Sequence, residues 1–219
     1  MAASHSPSGP AGFPAGGLAA LLAARLPQSP PELRGHDDYH LDAAVMLAPG
    51  GTPAAVLIPV VAHTEPTLLF TRRTDMLARH AGQVAFPGGR MEAADIGPLQ
   101  TALRETVEET GIAPAHMTMA GYLSRYRTGT GFDIQPVVGV LPPGLPLTPA
   151  PAEVAAVFEA PLAFFRNPAN RRRESREWNG QRRSFFAFTW QEHEIWGATA
   201  ALVVDLVARL GDVEVRDAH

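Results

Sequence analysis

The chain has 219 residues, of which 46% are hydrophobic and 18% charged, a balance typical of a folded globular domain rather than of an intrinsically disordered chain. Its formal net charge of −4 argues against wholesale attraction to nucleic acid or to an anionic membrane. The sequence holds no cysteine, which excludes disulfides, thiolate nucleophiles, zinc–thiolate sites and iron–sulfur ligation. Any metal must therefore be bound by oxygen or imidazole ligands.

The amino-terminal segment is predicted to be a flexible tail over residues 1–34, followed by one folded domain over 35–219. The tail is rich in Ala, Gly, Ser and Pro. It contains one predicted helix, from about residue 17 to 26, which is expected to pack on the body because its leucines recur at helical spacing: Leu18, Leu21, Leu22 and Leu26. No apolar run reaches the roughly 18 to 20 residues that span a bilayer, and no signal peptide is seen. These features predict a cytoplasmic protein.

Short apolar runs separated by turn residues predict the strands. Residues 54–62 and 67–71 are expected to form a β-hairpin, and further strands are predicted over 84–86, 134–141 and 154–158. The Asn179-Gly180 pair between two aromatic segments predicts a second hairpin. Helices are predicted over 98–110 and 196–210. Strands interleaved with helices, together with hairpins, indicate an α/β sandwich with a mixed sheet.

The helix over 98–110 carries the densest chemistry. Pro98 suits its first turn, and Gly111 suits the left-handed residue just past its end. At about 100° per residue, one side is predicted to face the core, and three glutamates gather on the opposite side. The predicted core side holds Leu99, Leu103, Val107 and Thr110, and the acidic side holds Glu105, Glu108 and Glu109.

Like charges at these spacings cost about 0.2–0.5 kcal/mol per pair on an isolated helix. A hard divalent cation, which prefers oxygen ligands, would compensate for that cost. Taken alone, however, such a triplet more often faces solvent. The preceding Gly88-Gly89 pair at the end of a strand favours the metal site, because it lets the backbone and a ligand approach closely. A backbone carbonyl there could join the metal shell.

The run from Gly88 to Ile112 resembles the Nudix box, which has a glycine, a spaced acid and then Arg-Glu-aliphatic-any-Glu-Glu-any-Gly-aliphatic. The chain departs from this pattern at the spaced acid, which is Asp95 rather than Glu, with eight residues instead of seven before Arg104. Thr106 also replaces an aliphatic residue. The role of Asp95 is left open.

The resemblance implies a Nudix-type α/β/α sandwich with a mixed β-sheet, and a pyrophosphate hydrolase that uses Mg²⁺ or Mn²⁺. Position by position, it implies that Glu105 and Glu109 are the main metal ligands and that Glu108 is an additional ligand or base. The carbonyl of Gly88 would be a further ligand. Arg104 would orient the glutamates by charge-assisted hydrogen bonds.

The general base is left open among three glutamates. Glu105 and Glu108 belong to the acidic helix. The third, Glu153, precedes the strand predicted at 154 and resembles a glutamate that some Nudix enzymes supply from a late loop.

Residues 68–89 resemble the signature of the coenzyme A pyrophosphatase branch of the family: Leu-Leu-Thr-any-Arg-Ser, then Leu-Arg-any-His-any-Gly-Gln, then Phe-Pro-Gly-Gly. Thr74 replaces the small residue and Ala78 stands where the branch commonly has arginine, whereas the extra residue before Arg104 is a feature of that branch. The resemblance implies coenzyme A as the substrate, with 4'-phosphopantetheine and adenosine 3',5'-bisphosphate as products. The candidates for substrate contact are Arg73, Arg79 and His80, which could pair with phosphates, and Gln83, which could orient either the substrate or the loop.

Two alternatives remain open. The first is a Nudix hydrolase for another nucleoside diphosphate derivative, such as ADP-ribose or a dinucleotide. The second is a non-catalytic metal- or RNA-binding module, because a basic cluster with aromatic neighbours surrounds the second hairpin. A solvated hairpin is the favoured interpretation of that cluster, and the sequence carries no signal for a particular oligomeric state. The cluster comprises Arg171, Arg172, Arg173, Arg176, Arg182 and Arg183, near Trp178 and Phe185.

Overall fold

The computed structural model describes residues 15–31, 50–76, 81–178 and 181–211, and in these ranges a mixed sheet of eight strands forms the centre of the molecule. The strands of that sheet are β1 (Thr52–Val61), β2 (Thr67–Arg73), β3 (Val84–Ala85), β4 (Gly88–Arg90), β5 (Thr118–Tyr122), β6 (Tyr126–Arg127), β7 (Phe132–Leu141) and β8 (Val154–Pro161). A second, antiparallel sheet consists of β9 (Arg172–Trp178), β10 (Gln181–Trp190) and β11 (His193–Trp196). The helices are α1 (Ala15–Ala23), α2 (Pro98–Thr110), α3 (Leu162–Arg166) and α4 (Gly197–Leu210), with single 3-10 turns at Pro114–His116 and Pro168–Asn170.

The central sheet mixes one parallel pair with antiparallel neighbours. Its main path runs β3-β2-β1-β7-β5, while β4 pairs with β1, β6 with β7 and β8 with β2. Strands β1 and β7 are parallel over their whole length, from Thr52 opposite Phe132 to Val61 opposite Leu141. The predicted hairpin of β1 and β2 is confirmed by antiparallel pairing of Val60 with Leu68. The mixed sheet expected from the sequence is therefore present.

Helices cover both faces of this sheet. On one face, α2 packs against β1, β4 and β7, with Ala102 buried among Ala55, Leu57 and Val137. On the other face, the larger core unites the central sheet with α1, α4 and the second sheet, through side chains such as Phe70, Leu18, Leu206 and Phe188. This arrangement is the α/β/α sandwich expected from the sequence.

The predicted ends of α2 are confirmed. Pro98 lies in the first turn, and Gly111 follows the last helical residue with φ of 77°, in the left-handed region that favours glycine. The N–H of Gly111 donates to the carbonyl of Val107 at 2.9 Å. The chain can therefore leave the helix sharply toward the 3-10 turn at Pro114–His116.

The predicted core face of α2 was only partly right. Thr110 is buried and Leu99 packs against the core, as predicted, but Val107 is 39% exposed. The other buried positions are Thr101, Ala102, Thr106 and Glu109. The small and hydroxyl side chains let the helix approach β1 and β7 closely. Thr106 donates to the carbonyl of Ala102 and Thr110 to that of Thr106, each at 2.6 Å, so both hydroxyls enter the interior with their polar groups satisfied. Of the three glutamates on the acidic side of α2, Glu109 is therefore buried.

The amino-terminal helix and the second hairpin also agree with the sequence predictions. Leu18, Leu22 and Leu26 are buried, and α1 packs on β5, as predicted for the tail helix. Strands β9 and β10 pair antiparallel up to Trp178 opposite Gln181, while the predicted turn at 179–180 lies outside the described residues.

None of the helices in the described ranges is both long enough and apolar enough to cross a bilayer.

Candidate active site

Arg104 is locked in place by Asp95, the residue whose role the sequence left open. The Nη2 of Arg104 donates to Asp95 Oδ2 and to the carbonyl of Arg90, both at 3.0 Å, and its Nε donates to Asp95 Oδ1 at 3.3 Å. Asp95 also accepts from the N–H of Glu92 and the hydroxyl of Thr101, each at 2.9 Å. These hydrogen bonds, above all the one from Arg104 and next the one from Glu92, lower the pKa of Asp95 to about 2. Asp95 is therefore a charged anchor for the guanidinium.

The other arm of Arg104 reaches the glutamates of α2. Its Nη1 donates to Glu105 Oε1 at 2.9 Å and lies 3.4 Å from the carboxylate of Glu108. Hydrogen bonding to Asp95 is the main cause that raises the pKa of Arg104 above its ordinary value, so the guanidinium stays charged. The side chain of Glu108 is 57% exposed, whereas that of Glu105 is only 17% exposed. Arg104 thus connects the loop before α2 to Glu105 and Glu108.

Glu105 rests directly against the glycine turn, the segment in which the bend at Pro87 leads into Gly88 and Gly89, the first two residues of β4. A Cβ placed on Gly89 would lie 2.4 Å from Glu105 Oε1, and one placed on Gly88 would lie 2.4 Å from the carbonyl oxygen of Ala55. Strand β4, which begins at these glycines, pairs with β1. Since real Cβ contacts are not this short, a side chain at residue 88 would clash with the backbone of β1, and one at residue 89 would force the carboxylate of Glu105 to move.

Glu109 is the buried acid of the site, with 5% exposure. Its Oε2 lies 3.4 Å from the hydroxyl of Thr71, which can donate to it. Burial is the main cause that raises the pKa of Glu109 to about 7; the charge of Arg73 opposes this rise, and those of Glu105 and Glu153 add to it. Burial likewise is the main cause that raises the pKa of Glu105, against the lowering effect of Arg104. Two carboxylates are therefore held where their negative charge is poorly compensated.

A loop over residues 142–153 brings a third carboxylate to the same place. The N–H of Ala150 donates to the carbonyl of Glu109 at 3.2 Å, and the N–H of Thr148 donates to that of Thr110 at 2.8 Å. At its far end, the carbonyl of Glu153 accepts from the N–H of Thr74 at 3.0 Å. Glu153 is exposed, and its charge acts on Glu105 and Glu109 of α2. The loop thus places Glu153 opposite the acidic helix.

Two of the four candidate substrate contacts lie within the described residues. The Nε of Arg73 is buried and has no hydrogen-bond partner in the described part of the chain, and the backbone N–H of Arg73 donates to the carbonyl of Gln83 at 2.9 Å. Gln83 is half-buried. The structure therefore brings Arg73 beside Glu109 and pairs its strand with Gln83. Arg79 and His80 lie outside the described residues.

The donor set fits a divalent cation that is bound only in part by protein. Among the described residues, no three His, Asp or Glu side chains already stand close enough to enclose an ion. Mg²⁺ usually keeps several waters and binds through one or two carboxylates plus substrate phosphates, so a closed cage is not required. Two observations fit a bound cation. The negative charges of Glu105 and Glu109 are poorly compensated by the protein, and the absence of a side chain at Gly89 leaves room for the carboxylate of Glu105.

Two arginines of the second sheet, Arg172 and Arg176, are engaged with their own neighbours. Arg172 pairs with Glu174 at 3.3 Å and also with Glu194. The guanidinium carbon of Arg176 lies 5.5 Å from the ring centre of Phe185 and 5.1 Å from that of Trp196. Such pairing and stacking on a sheet surface is typical of the solvated hairpin favoured from the sequence.

Comparison with known proteins assigns the family. The model of the NUDIX domain matches residues 51–189, a range that contains α2, the glycine turn and Glu153. An uncharacterized Nudix hydrolase, NudL of Photorhabdus laumondii subsp. laumondii, is 40% identical over 157 residues, which cover 72% of this chain and 84% of the relative. NudL of Salmonella paratyphi B is 41% identical over 167 residues, covering 72% and 82%. A solved MutT/nudix family protein from Enterococcus faecalis superposes with a TM-score of 0.47 at 14% identity, covering 74% of this chain and 63% of that one. The chain belongs to the Nudix hydrolase family.

Sequence reasoning missed Thr71 and Thr74 as parts of the site. Thr71 contacts Glu109 through its hydroxyl, and Thr74 holds the loop of Glu153 through its backbone N–H, with its hydroxyl 3.4 Å from the carbonyl of Ala152. A usable signal was the alternation along β2, which puts residues 69, 71 and 73 on one face. What the sequence could not supply was that this face is turned to α2.

Proposed function

We propose that the protein is a metal-dependent pyrophosphatase that hydrolyses coenzyme A to 4'-phosphopantetheine and adenosine 3',5'-bisphosphate. The observation that carries the proposal is the meeting of Glu105 and buried Glu109 beside the Gly88-Gly89 turn, with Arg104 held by Asp95 behind them. Carboxylates that remain poorly compensated in a folded protein are candidates for cation binding. A pyrophosphate linkage in turn needs a cation to offset its negative charge.

The residues that would hold Mg²⁺ or Mn²⁺ are Glu105, Glu109, Glu108 and the carbonyl of Gly88. When bound, the ion supplies charge neutralisation on the phosphoryl oxygens and lowers the pKa of a coordinated water. The chain's own contribution is orientation. Arg104 fixes the carboxylate of Glu105 through a 2.9 Å hydrogen bond, and burial on α2 restricts Glu109 to one side of the helix.

Glu153 is our candidate for the group that accepts the proton of the attacking water. Glu105 and Glu108 both accept hydrogen bonds from Arg104, which engage their carboxylates with the guanidinium. Glu153 lies across from them on an exposed loop that is tied to both α2 and β2. This position is accessible to solvent, as a general base for water requires.

Arg73 is our candidate for a contact to the substrate diphosphate. Its guanidinium lies beside the acidic site, where it lowers the pKa of Glu109 against the larger effect of burial, and its Nε lacks a hydrogen-bond partner in the described residues. Arginine offers a planar set of donors for phosphate oxygens. A phosphate that approached the metal site would therefore meet a cation already in position.

Coenzyme A is favoured as the substrate by the resemblance of residues 68–89 to the coenzyme A pyrophosphatase branch. ADP-ribose and dinucleotides share the diphosphate that Arg73 and the glutamates would bind, so they remain the competing substrates. The value of kcat/KM across coenzyme A, ADP-ribose and a dinucleotide would separate these possibilities. A clear preference for ADP-ribose would remove the coenzyme A assignment and leave the pyrophosphatase assignment intact.

The decisive experiment is hydrolysis of coenzyme A in H₂¹⁸O with added Mg²⁺ or Mn²⁺, followed by mass analysis of both products. We expect cleavage into the two named products, with ¹⁸O in only one of them, which identifies the phosphorus attacked. Glu109→Gln should largely abolish turnover and retain the fold. Glu65→Gln, at an exposed turn between β1 and β2, is the matched control and should remain fully active. An active Glu109→Gln enzyme, or no hydrolysis of any diphosphate by the wild type, would overturn the proposal.

A further inference from the structure

The carboxyl-terminal half of β2 faces the acidic helix. Side chains two residues apart on a strand share a face, and Leu69 packs with Ile112, just beyond α2, in a buried cluster. Thr71 follows on that face with 1% exposure, and its hydroxyl contacts Glu109. Thr71 therefore lies beside the carboxyl-terminal end of α2, where it contacts Glu109.

The hydroxyl of Thr71 lies between two acceptors. Its Oγ is 3.4 Å from Glu109 Oε2 and 3.3 Å from the carbonyl of Ala85, its partner on β3. A hydroxyl has one proton to donate, so donation to Glu109 fixes one carboxylate oxygen and leaves the other, Oε1, available for a ligand. Glu109 is itself 5% exposed, and Thr71 supplies a hydrogen bond to its carboxylate inside the protein.

We propose that Thr71 is a positioning residue for Glu109, holding one oxygen of that carboxylate so that the other is directed to a divalent cation. The inference rests on the proposed metal-dependent function. The segment that contains Thr71 was interpreted from the sequence as a signature of substrate recognition. Because the side chain of Thr71 is only 1% exposed, it is closed off from a substrate. At this position, the residue of the signature instead holds Glu109, the proposed metal ligand.

The test compares side chains that keep or remove the hydroxyl. Thr71→Val and Thr71→Ala remove it, whereas Thr71→Ser keeps it. The Ser and Ala variants differ only by that oxygen. Thr67→Val is the matched control, because Thr67 lies on the same strand and its hydroxyl also donates to a carboxylate, that of Glu159, away from the acidic helix. Circular dichroism checks that each variant is folded.

The primary measurement is Mn²⁺ affinity by electron paramagnetic resonance, in the absence of substrate. We expect Thr71→Val and Thr71→Ala to weaken Mn²⁺ binding about tenfold, the usual cost of removing a group that orients a metal ligand. Thr71→Ser and Thr67→Val should bind as the wild type does. At saturating Mn²⁺, KM for coenzyme A should be unchanged, while the Mn²⁺ concentration needed for half-maximal kcat should rise in parallel with the weakened affinity.

The outcomes separate this inference from the proposed function. If the wild type binds Mn²⁺ and hydrolyses a diphosphate but the Val and Ala variants bind Mn²⁺ equally well, Thr71 has no positioning role. Equal weakening in the Ser and Ala variants would also overturn it, because the effect would then come from packing and not from the hydroxyl. Failure of the wild type to bind any Mn²⁺ would remove the proposed function as well.

Discussion

The carboxylate of Glu105 occupies the space that a side chain at residue 89 would need: its Oε1 lies 2.4 Å from the position of a Cβ on Gly89. The same carboxylate accepts from Arg104, so it has little freedom to move aside. Gly89 is thus a condition for the placement of Glu105.

Gly89→Ala should displace Glu105 and lower kcat/KM about a hundredfold, since a misplacement of about 1 Å in a catalytic site can cost that much. The fold should be destabilised by only about 1 kcal/mol, the low end for overpacking, because the clash is with the end of a side chain and not with backbone. Steady-state kinetics and urea unfolding measure the two effects. Gly16→Ala, at an exposed position of helix α1 with open space around it, should leave kcat/KM unchanged and should not destabilise the fold. Wild-type activity in Gly89→Ala would contradict the placement.

Replacing Glu109 by Gln should raise the thermal stability of the metal-free protein at pH 8. Burial raises the pKa of Glu109 from 4.5 to about 7, so the folded state binds more protons than the unfolded state between these values, and stability falls as the pH rises through that window. Glutamine does not ionise, so the Glu109→Gln variant does not lose stability in this pH range. The difference in Tm between the two proteins should therefore open between pH 4.5 and pH 7.

Added Mn²⁺ should close that difference, because a cation bound to the folded wild type stabilises it by mass action. Thermal unfolding with and without Mn²⁺ provides the comparison, with Glu65→Gln expected to follow the wild type throughout. Equal Tm values for the wild type and Glu109→Gln at every pH would mean that the carboxylate is not held in the buried state described above.

Arg127 and Asp133 form a buried ion pair at the start of β7, with hydrogen bonds of 2.9 and 2.7 Å. The hydrogen bond from Arg127 is the main cause that lowers the pKa of Asp133. Its contribution to stability is present above about pH 4, the ordinary value in an unfolded chain, and is lost as the pH falls through the lowered value. Asp133→Asn should cost about 3 kcal/mol at pH 7, because it leaves a buried charge unpaired.

Chemical unfolding between pH 7 and pH 2 measures this dependence. The gap between the wild type and Asp133→Asn should be widest at neutral pH and should narrow in acid. Asp75→Asn removes an exposed partner 3.6 Å from Arg72 and should cost well under 1 kcal/mol. A gap that stays constant down to pH 2 would show that Asp133 does not titrate as described.

Glu153→Gln should lower kcat about a hundredfold or more, the usual contribution of a general base, while KM changes little. Glu177→Gln, at an exposed position of β9, should behave like the wild type. Rapid mixing that separates chemistry from product release makes the comparison specific to the proton-transfer step. An unchanged kcat would return the role of base to Glu105 or Glu108.

The elements that the sequence predicted well are those with local signals. Pro98 and Gly111 mark the ends of α2, and both ends were confirmed, because helix termination depends on the backbone preferences of single residues. The close approach at Gly88 and Gly89 was also predictable from the Gly-Gly pair, but the sequence did not indicate that both glycines begin a further strand, β4, paired with β1. These inferences needed no knowledge of what lies across the fold.

The inward face of α2 was not predictable in the same way. Hydrophobic spacing favoured Val107 and not Thr106, yet Thr106 is buried because its hydroxyl is satisfied within the helix. Whether Glu109 points to solvent or into the protein depends on β2, where Thr71 lies 38 positions earlier in the chain. The acidic face was identified from the sequence, but its burial is a tertiary property.

The parallel ladder between β1 and β7 has a consequence for the order of biosynthesis. Glu105 and Glu109 of α2, like the glycine turn, leave the ribosome before Phe132, the first residue of β7. α2 packs on both strands of the ladder, so its surroundings are complete only once this distant pairing has closed, and long-range pairings of this kind are slow steps in folding. A nascent chain that already carries both acids is therefore expected to remain catalytically silent until the later strand docks.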